Sequence, residues 1–149
     1  MPRTCCSELL FTLGIAWYEW YPDYAYDFSG ISISAGDEIK ACVTAYSTTS
    51  GVAELENLTT GQSVSMDLSS SYALCEQDAE WIVEDFEEGG SLVLFADFGT
   101  VTFSDCSASG PDGSYGLSDA NILEIEQTGG PQPATLVTIS GSDITVKYE

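Results

Sequence analysis

The sequence predicts an all-β fold, an antiparallel sandwich or barrel, on three observations. Apolar and polar residues alternate with a period of two, turn-forming clusters separate these runs at short intervals, and no convincing amphipathic helix interrupts them. Ile39, Ala41, Val43 and Ala45 alternate with Lys40, Cys42, Thr44 and Tyr46, and Val64, Met66 and Leu68 alternate with Ser and Asp. The separating clusters are "STTSG", "TTGQ", "EEGG", "SGPDGS" and "TGGPQP", rich in residues that supply positive φ or fix a bend.

In chain order, "MPRTCCSELLFTLGI" stands apart from the rest. It has one Arg, a Glu inside a short apolar run and no small-residue cleavage site, so it reads poorly as a signal peptide. The expected organisation is an unrelated or mis-assigned segment over 1–15 and a single β domain over 16–149. "AWYEWYPDYAYDF" follows and reads as a strand that sends Trp17, Glu19 and Tyr21 to one face and Tyr18 and Trp20 to the other. The row with Glu19 is the more open one. "AEWIVEDFEE" places Glu80, Ile82, Glu84 and Phe86 opposite Trp81, Val83, Asp85 and Glu87. Glu84 then lies beside Ile82 and Phe86 inside a strand, where an unpaired charge is costly. Such a carboxyl is either paired for structure or tuned for proton transfer. Later strands are "SLVLFADF", "TVTFSD" and "NILEIEQ", and "TLVTIS" and "DITVKY" form a hairpin across "GS".

Composition limits the functions open to such a domain. Its 149 residues suffice for one core, and a hydrophobic fraction of 44% argues for a soluble globular chain. Against 24 Asp and Glu stand only Arg3, Lys40 and Lys147, a formal net charge of -21. Nucleic acid and anionic membranes are repelled by that surface, and no apolar stretch is long enough to span a bilayer. Crowded carboxylates have raised pKa values on average. Stability from a raised folded pKa is present at low pH and lost as pH rises through it, so the chain is expected to be more stable in acid.

Histidine is absent, which removes Ser-His-Asp, Cys-His and HExxH chemistry together. Neither Asp-Thr-Gly nor Asp-Ser-Gly occurs, so the two-aspartate proteases are excluded in their usual form. "DFG" at 97–99 lacks every companion of the kinase motif. Asp112 and Asp119 flank a Gly-rich loop without calcium-loop spacing, so neither metal nor cofactor is expected. Cys5, Cys6, Cys42, Cys75 and Cys106 are odd in number and show no zinc spacing. Asn57-Leu58-Thr59 is an N-glycosylation sequon.

"AWYEWYP", "ENLTTGQ", "AEWIVEDFE" and "FADFGTVTF", in this order and at near-matching spacing, resemble the glutamic peptidases, the eqolisin family of secreted fungal acid endopeptidases. The resemblance runs from Ala16 to the C-terminus. It implies a concanavalin-like sandwich of two bent antiparallel sheets with a substrate cleft on the concave face. It also implies a Glu that acts first as general base on the attacking water and then as general acid toward the leaving amine, partnered by a Gln that stabilises the oxyanion. On this resemblance the Glu is Glu84, and the cleft residues are Trp17, Glu19, Tyr21, Phe86 and Glu87. The substrate would be a peptide or protein, the location extracellular and the state monomeric. In the family the Gln lies in an "ILQTG" motif upstream of the aromatic strand. Residues 1–15 hold no Gln, and Gln62, Gln77, Gln127 and Gln132 fall in turns or in strands the family does not use for catalysis. The resemblance therefore implies a member lacking the family's first strands, with a separate N-terminal fragment as one source of the Gln. The family's disulfide partner for Cys75 would lie there too. From another class, a non-catalytic module binding peptide or carbohydrate would use the same aromatic row for stacking.

Overall fold

A computed structural model describes residues 3–11, 14–85, 87–88, 90–92, 95–126 and 133–149, with backbone alone at 3–11, 87–88 and 92. Twelve strands and no helix occur among them: β1 (Arg3–Phe11), β2 (Trp17–Tyr18), β3 (Tyr26–Asp27), β4 (Asp37–Ser47), β5 (Ser50–Asn57), β6 (Gln62–Ser69), β7 (Glu87–Glu88), β8 (Ser91–Leu92), β9 (Thr100–Gly110), β10 (Gly113–Tyr115), β11 (Thr135–Ser140) and β12 (Asp143–Tyr148). Seven form one antiparallel sheet in the order β11-β12-β9-β1-β4-β5-β6, and β10 adds to β9 as an eighth. β2 with β3 and β7 with β8 make two short ribbons. The all-β antiparallel expectation is met. β1, drawn from the segment whose composition stands apart, pairs with β4 from Arg3 opposite Ala45 to Phe11 opposite Asp37.

Local chemistry sets the hairpins. Between β4 and β5 the Ser47 hydroxyl accepts the Thr49 amide at 3.2 Å and meets the Ser50 hydroxyl at 2.7 Å, a side-chain mimic of a backbone turn. At Gly51 the strands approach so closely that a Cβ would lie 2.5 Å from the Thr44 carbonyl oxygen. Gly51→Ala must push backbone aside and is expected to cost about 1–3 kcal/mol, read as a lower urea midpoint at unchanged slope. Between β5 and β6, Gly61 takes φ +75° and donates its amide to the Asn57 carbonyl at 2.7 Å.

The core lies on β9 and β12. Phe103, Cys106, Leu117, Ile144 and Val146 are buried together, with Trp81, Val83, Phe98, Val101, Val137 and Ile139 packed around them. Phe103 and Cys106 differ in parity, so a regular strand could not bury both. The chain corrects this at Asp105, which adopts φ 51°. Asp is among the few residues that tolerate that region, and the kink is held by Asp105 N–H donating to Asp143 Oδ1 at 3.2 Å and Cys106 N–H to the Ser142 carbonyl at 2.9 Å.

Several strand expectations are corrected. "AWYEWY" is laddered only at Trp17 and Tyr18, opposite Asp27 and Tyr26, because Pro22 has no amide proton and the Asp23 amide turns back to the Trp20 carbonyl. Residues 79–85 and 121–126 join no ladder, and "SLVLFADF" is a strand only at Ser91 and Leu92 among its described residues. Along 121–126 the bonds that would build a ladder go partly to side chains: Ile125 N–H donates to Thr135 Oγ1 and Val137 N–H to Glu124 Oε1. The sequence pattern also passed over β5, whose buried face carries Ala53, Leu55 and Asn57. Cys42 is in a disulfide, Cys75 is an exposed thiol, and the buried Cys106 thiol meets the Phe103 carbonyl at 3.4 Å.

Candidate active site

Two runs position the residues singled out by sequence. The first is anchored by Trp20, only 8% exposed, whose indole N–H donates to the Tyr72 carbonyl at 2.9 Å. Ser70 Oγ donates to Asp23 Oδ2 at 2.5 Å, a second tie from the same turn to the 70–72 segment. Tyr18 packs edge-on against Phe28, with centroids 4.8 Å apart, and stacks on Tyr26. With Tyr18 and Trp20 held inward, alternation turns Trp17, Glu19 and Tyr21 outward, and Trp17 and Tyr21 are 56% and 82% exposed.

The second run, 79–85, alternates just as regularly without ladder bonds. Trp81 and Val83 are half-buried against the core cluster of Phe103, Cys106, Leu117, Ile144 and Val146, while Glu80, Ile82 and Glu84 are exposed. The expectation of a costly charge enclosed beside Ile82 is thereby corrected, since Ile82 is 61% exposed. The reason is a competition between faces: turning Trp81 and Val83 inward buries more apolar area than turning one Ile inward between two carboxylates. Glu84 stands in reach of water on a run clamped from behind.

An open groove of about 1200 Å³ is lined by residues of both the sheet and these segments. Glu19 and Tyr21 line it together with Glu80, Trp81, Ile82 and Val83, facing Val43, Val52, Val137, Ile144 and Val146 from the sheet. Trp17 and Glu84 are not part of its lining. Phe86 lies outside the described residues, and of Glu87 only the backbone, in β7, is described. Among the described residues no group of three or more Cys, Asp or Glu is placed to hold a metal ion. Asp97 of "DFG" accepts the Gly99 amide at 3.0 Å, an ordinary turn. The ties from Trp20 and Asp23 escaped sequence reasoning; Pro22 followed by Asp23 signals a turn, but nothing local signals its partners 52 and 47 residues away.

Fold and site define a class: an acidic antiparallel β-sandwich in which two alternating runs turn carboxylates and aromatic rings outward. The chain belongs to the Peptidase A4 family, whose model matches residues 14–148. It is 56% identical over 135 residues to Aspergillopepsin-2 of Aspergillus niger, a match covering 89% of this chain and 47% of that protein. Its structure is similar to that of aspergilloglutamic peptidase from Aspergillus niger, with TM-score 0.82 and 46% identity over 97% of this chain and 99% of that one. It is also similar to scytalido-glutamic peptidase solved with a transition state analog inhibitor, with TM-score 0.84 and 40% identity over 99% of this chain and 84% of that one. The chain spans about half the length of the curated relatives it matches.

Proposed function

We propose that this chain is the Glu-bearing part of an extracellular acid endopeptidase, with Glu84 as its catalytic carboxyl. The observation that carries the reading is the 79–85 run: Trp81 and Val83 pin it to the core and leave Glu84 directed to water within a family of glutamic peptidases. The carboxylate takes a proton from a water molecule, whose oxygen attacks the scissile carbonyl carbon. The same carboxyl then gives the proton to the leaving amine. A carboxyl is ionised when it accepts the proton and protonated when it gives it back, so one group serves both steps in turn. Trp17, Glu19 and Tyr21, exposed on one face of the aromatic run, contact the peptide, and the family resemblance assigns the same role to Phe86 and Glu87.

The tetrahedral intermediate needs a neutral donor aimed at its oxyanion, and we assign that role to a Gln on a separate N-terminal segment. The groove supplies a place for it. Stacked β layers sit about 10 Å apart with side chains filling the space between, and here the sheet side of that space is apolar and open. Neither nucleic acid nor membrane enters this reading, since the net charge of -21 repels both.

The test is hydrolysis of an unfolded protein substrate between about pH 2 and 7, with this chain alone and with a Gln-bearing N-terminal segment of a relative added. Cleavage confined to acid and raised by at least about 100-fold on complementation, the usual weight of one oxyanion donor, is expected. Saturable binding of an oligosaccharide, with no cleavage under either condition, would establish instead a binding module that uses the exposed Trp17 and Tyr21 for stacking.

A further inference from the structure

Asn57 belongs to a glycosylation sequon, yet it is 0% exposed. Its side chain uses its hydrogen-bonding groups inward. Nδ2 donates to the Ser32 carbonyl at 2.9 Å and to Asp37 Oδ2 at 2.8 Å, and Oδ1 accepts the Thr60 amide at 3.0 Å. Both Nδ2 hydrogens are thus committed. Asp37, itself 8% exposed, accepts the Ser34 amide through the same Oδ2 at 2.8 Å. The rest of the sequon is engaged as well: Leu58 N–H donates to the Glu38 carbonyl at 2.8 Å, and Thr59 Oγ1 accepts the Glu38 amide at 2.9 Å. One side chain therefore ties the β5–β6 turn to the 32–37 loop. That loop bridges through Ile33 to Gly14, at the start of the aromatic run.

We propose that Asn57-Leu58-Thr59 is a folding latch closed to glycan, so that N-glycosylation of Asn57 and the native fold exclude each other. Glycan transfer forms a bond from the sugar C1 to Nδ2. It breaks the C1–oxygen bond of a lipid-pyrophosphate donor, which departs as the lipid pyrophosphate, and Nδ2 gives up one proton. The product keeps a single N–H where the latch uses two, and it carries a branched polar chain on an atom with no exposed surface. Burying that group or opening the latch costs more than one hydrogen bond.

Two measurements test this. The chain is expressed in a glycosylating secretory host, and the soluble, cooperatively melting fraction is separated from aggregate before peptide mass mapping. Unmodified Asn57 throughout the folded fraction is expected, and glycan on Asn57 in that fraction overturns the proposal. The second uses Asn57→Asp made in a bacterial host, which adds no glycan. It removes both donors and sets a second carboxylate against Asp37, while Glu38 and Lys40 on β4 and Glu56 on β5 alternate to the opposite face. Two carboxylates that close do not both ionise, so one holds a proton only in the folded state. Folded proton affinity is raised, so the stability it contributes is present at low pH and lost as pH rises. The melting temperature of the variant should fall by about 10 °C or more below wild type at pH 7, and by much less near pH 3.5. A variant unfolded at pH 7 is refolded near pH 3.5 and should lose its structure on return. A variant melting with wild type at pH 7 overturns the latch.

Discussion

Replacing Glu84 by Gln is expected to lower peptide hydrolysis in acid by about 100- to 10,000-fold, the usual range for removing a positioned general base. The amide keeps the size of the side chain but accepts no proton from water and returns none to the leaving amine. The loss should therefore fall in kcat, with KM little changed, because the group acts on the reacting atoms and not on the peptide as a whole. Stability should stay within about 0.5 kcal/mol, since Glu84 is exposed. Glu80→Gln is the matched control. Glu80 shares the exposed face two alternations earlier, so removing the same charge there should leave the rate nearly intact. If the two variants lose rate equally, the effect is one of surface charge, and the assignment of Glu84 fails.

How far this site can be read from sequence depends on which physical signal each part carries. Alternation in "WYEWY" and "EWIVED" is local, and it correctly separates Trp17, Glu19 and Tyr21 from Tyr18 and Trp20, and Glu84 from Trp81 and Val83. Which face turns inward is not local. It follows from what the rest of the chain offers to pack against, here Phe103, Ile144 and Val146. β5 is hard to see because its buried face consists of small, polar or isolated apolar residues, Gly51, Ala53, Leu55 and Asn57. Strict period-two reading also fails at Asp105, where a single residue at positive φ resets the parity and brings Cys106 to the side of Phe103. Strand order leaves the least trace, since β1 lies between β4 and β9 through pairings up to 105 residues distant, Thr4 with Ser109 among them. The proposed identity of the carboxyl rests on the resemblance; its direction rests on the alternation.

Trp81→Ala tests whether the clamp behind the run is what aims Glu84. Truncating a core Trp costs about 3–5 kcal/mol, and Trp81 is half-buried, so about 3 kcal/mol is expected, a fall of roughly 6–12 °C in melting temperature for a chain of this size. Because 79–85 has no ladder bonds to hold it, the loss should also free the run from Phe103, Ile144 and Val146. Glu84 would then sample many directions, and kcat should fall together with stability even at temperatures where the fold persists. Trp81→Phe, which refills most of the contact, should restore both. Ile82→Ala deletes a smaller apolar group one position along the chain, from a side chain already 61% exposed, and it should stay within about 0.5 kcal/mol of wild type. The two substitutions strike opposite faces of the run, and the water-facing reading expects the inward one to cost far more. Urea midpoints in which Ile82→Ala is the costlier change would place Ile82 inward and turn Glu84 toward the core with it, contradicting the water-facing carboxylate on which the hydrolytic reading stands.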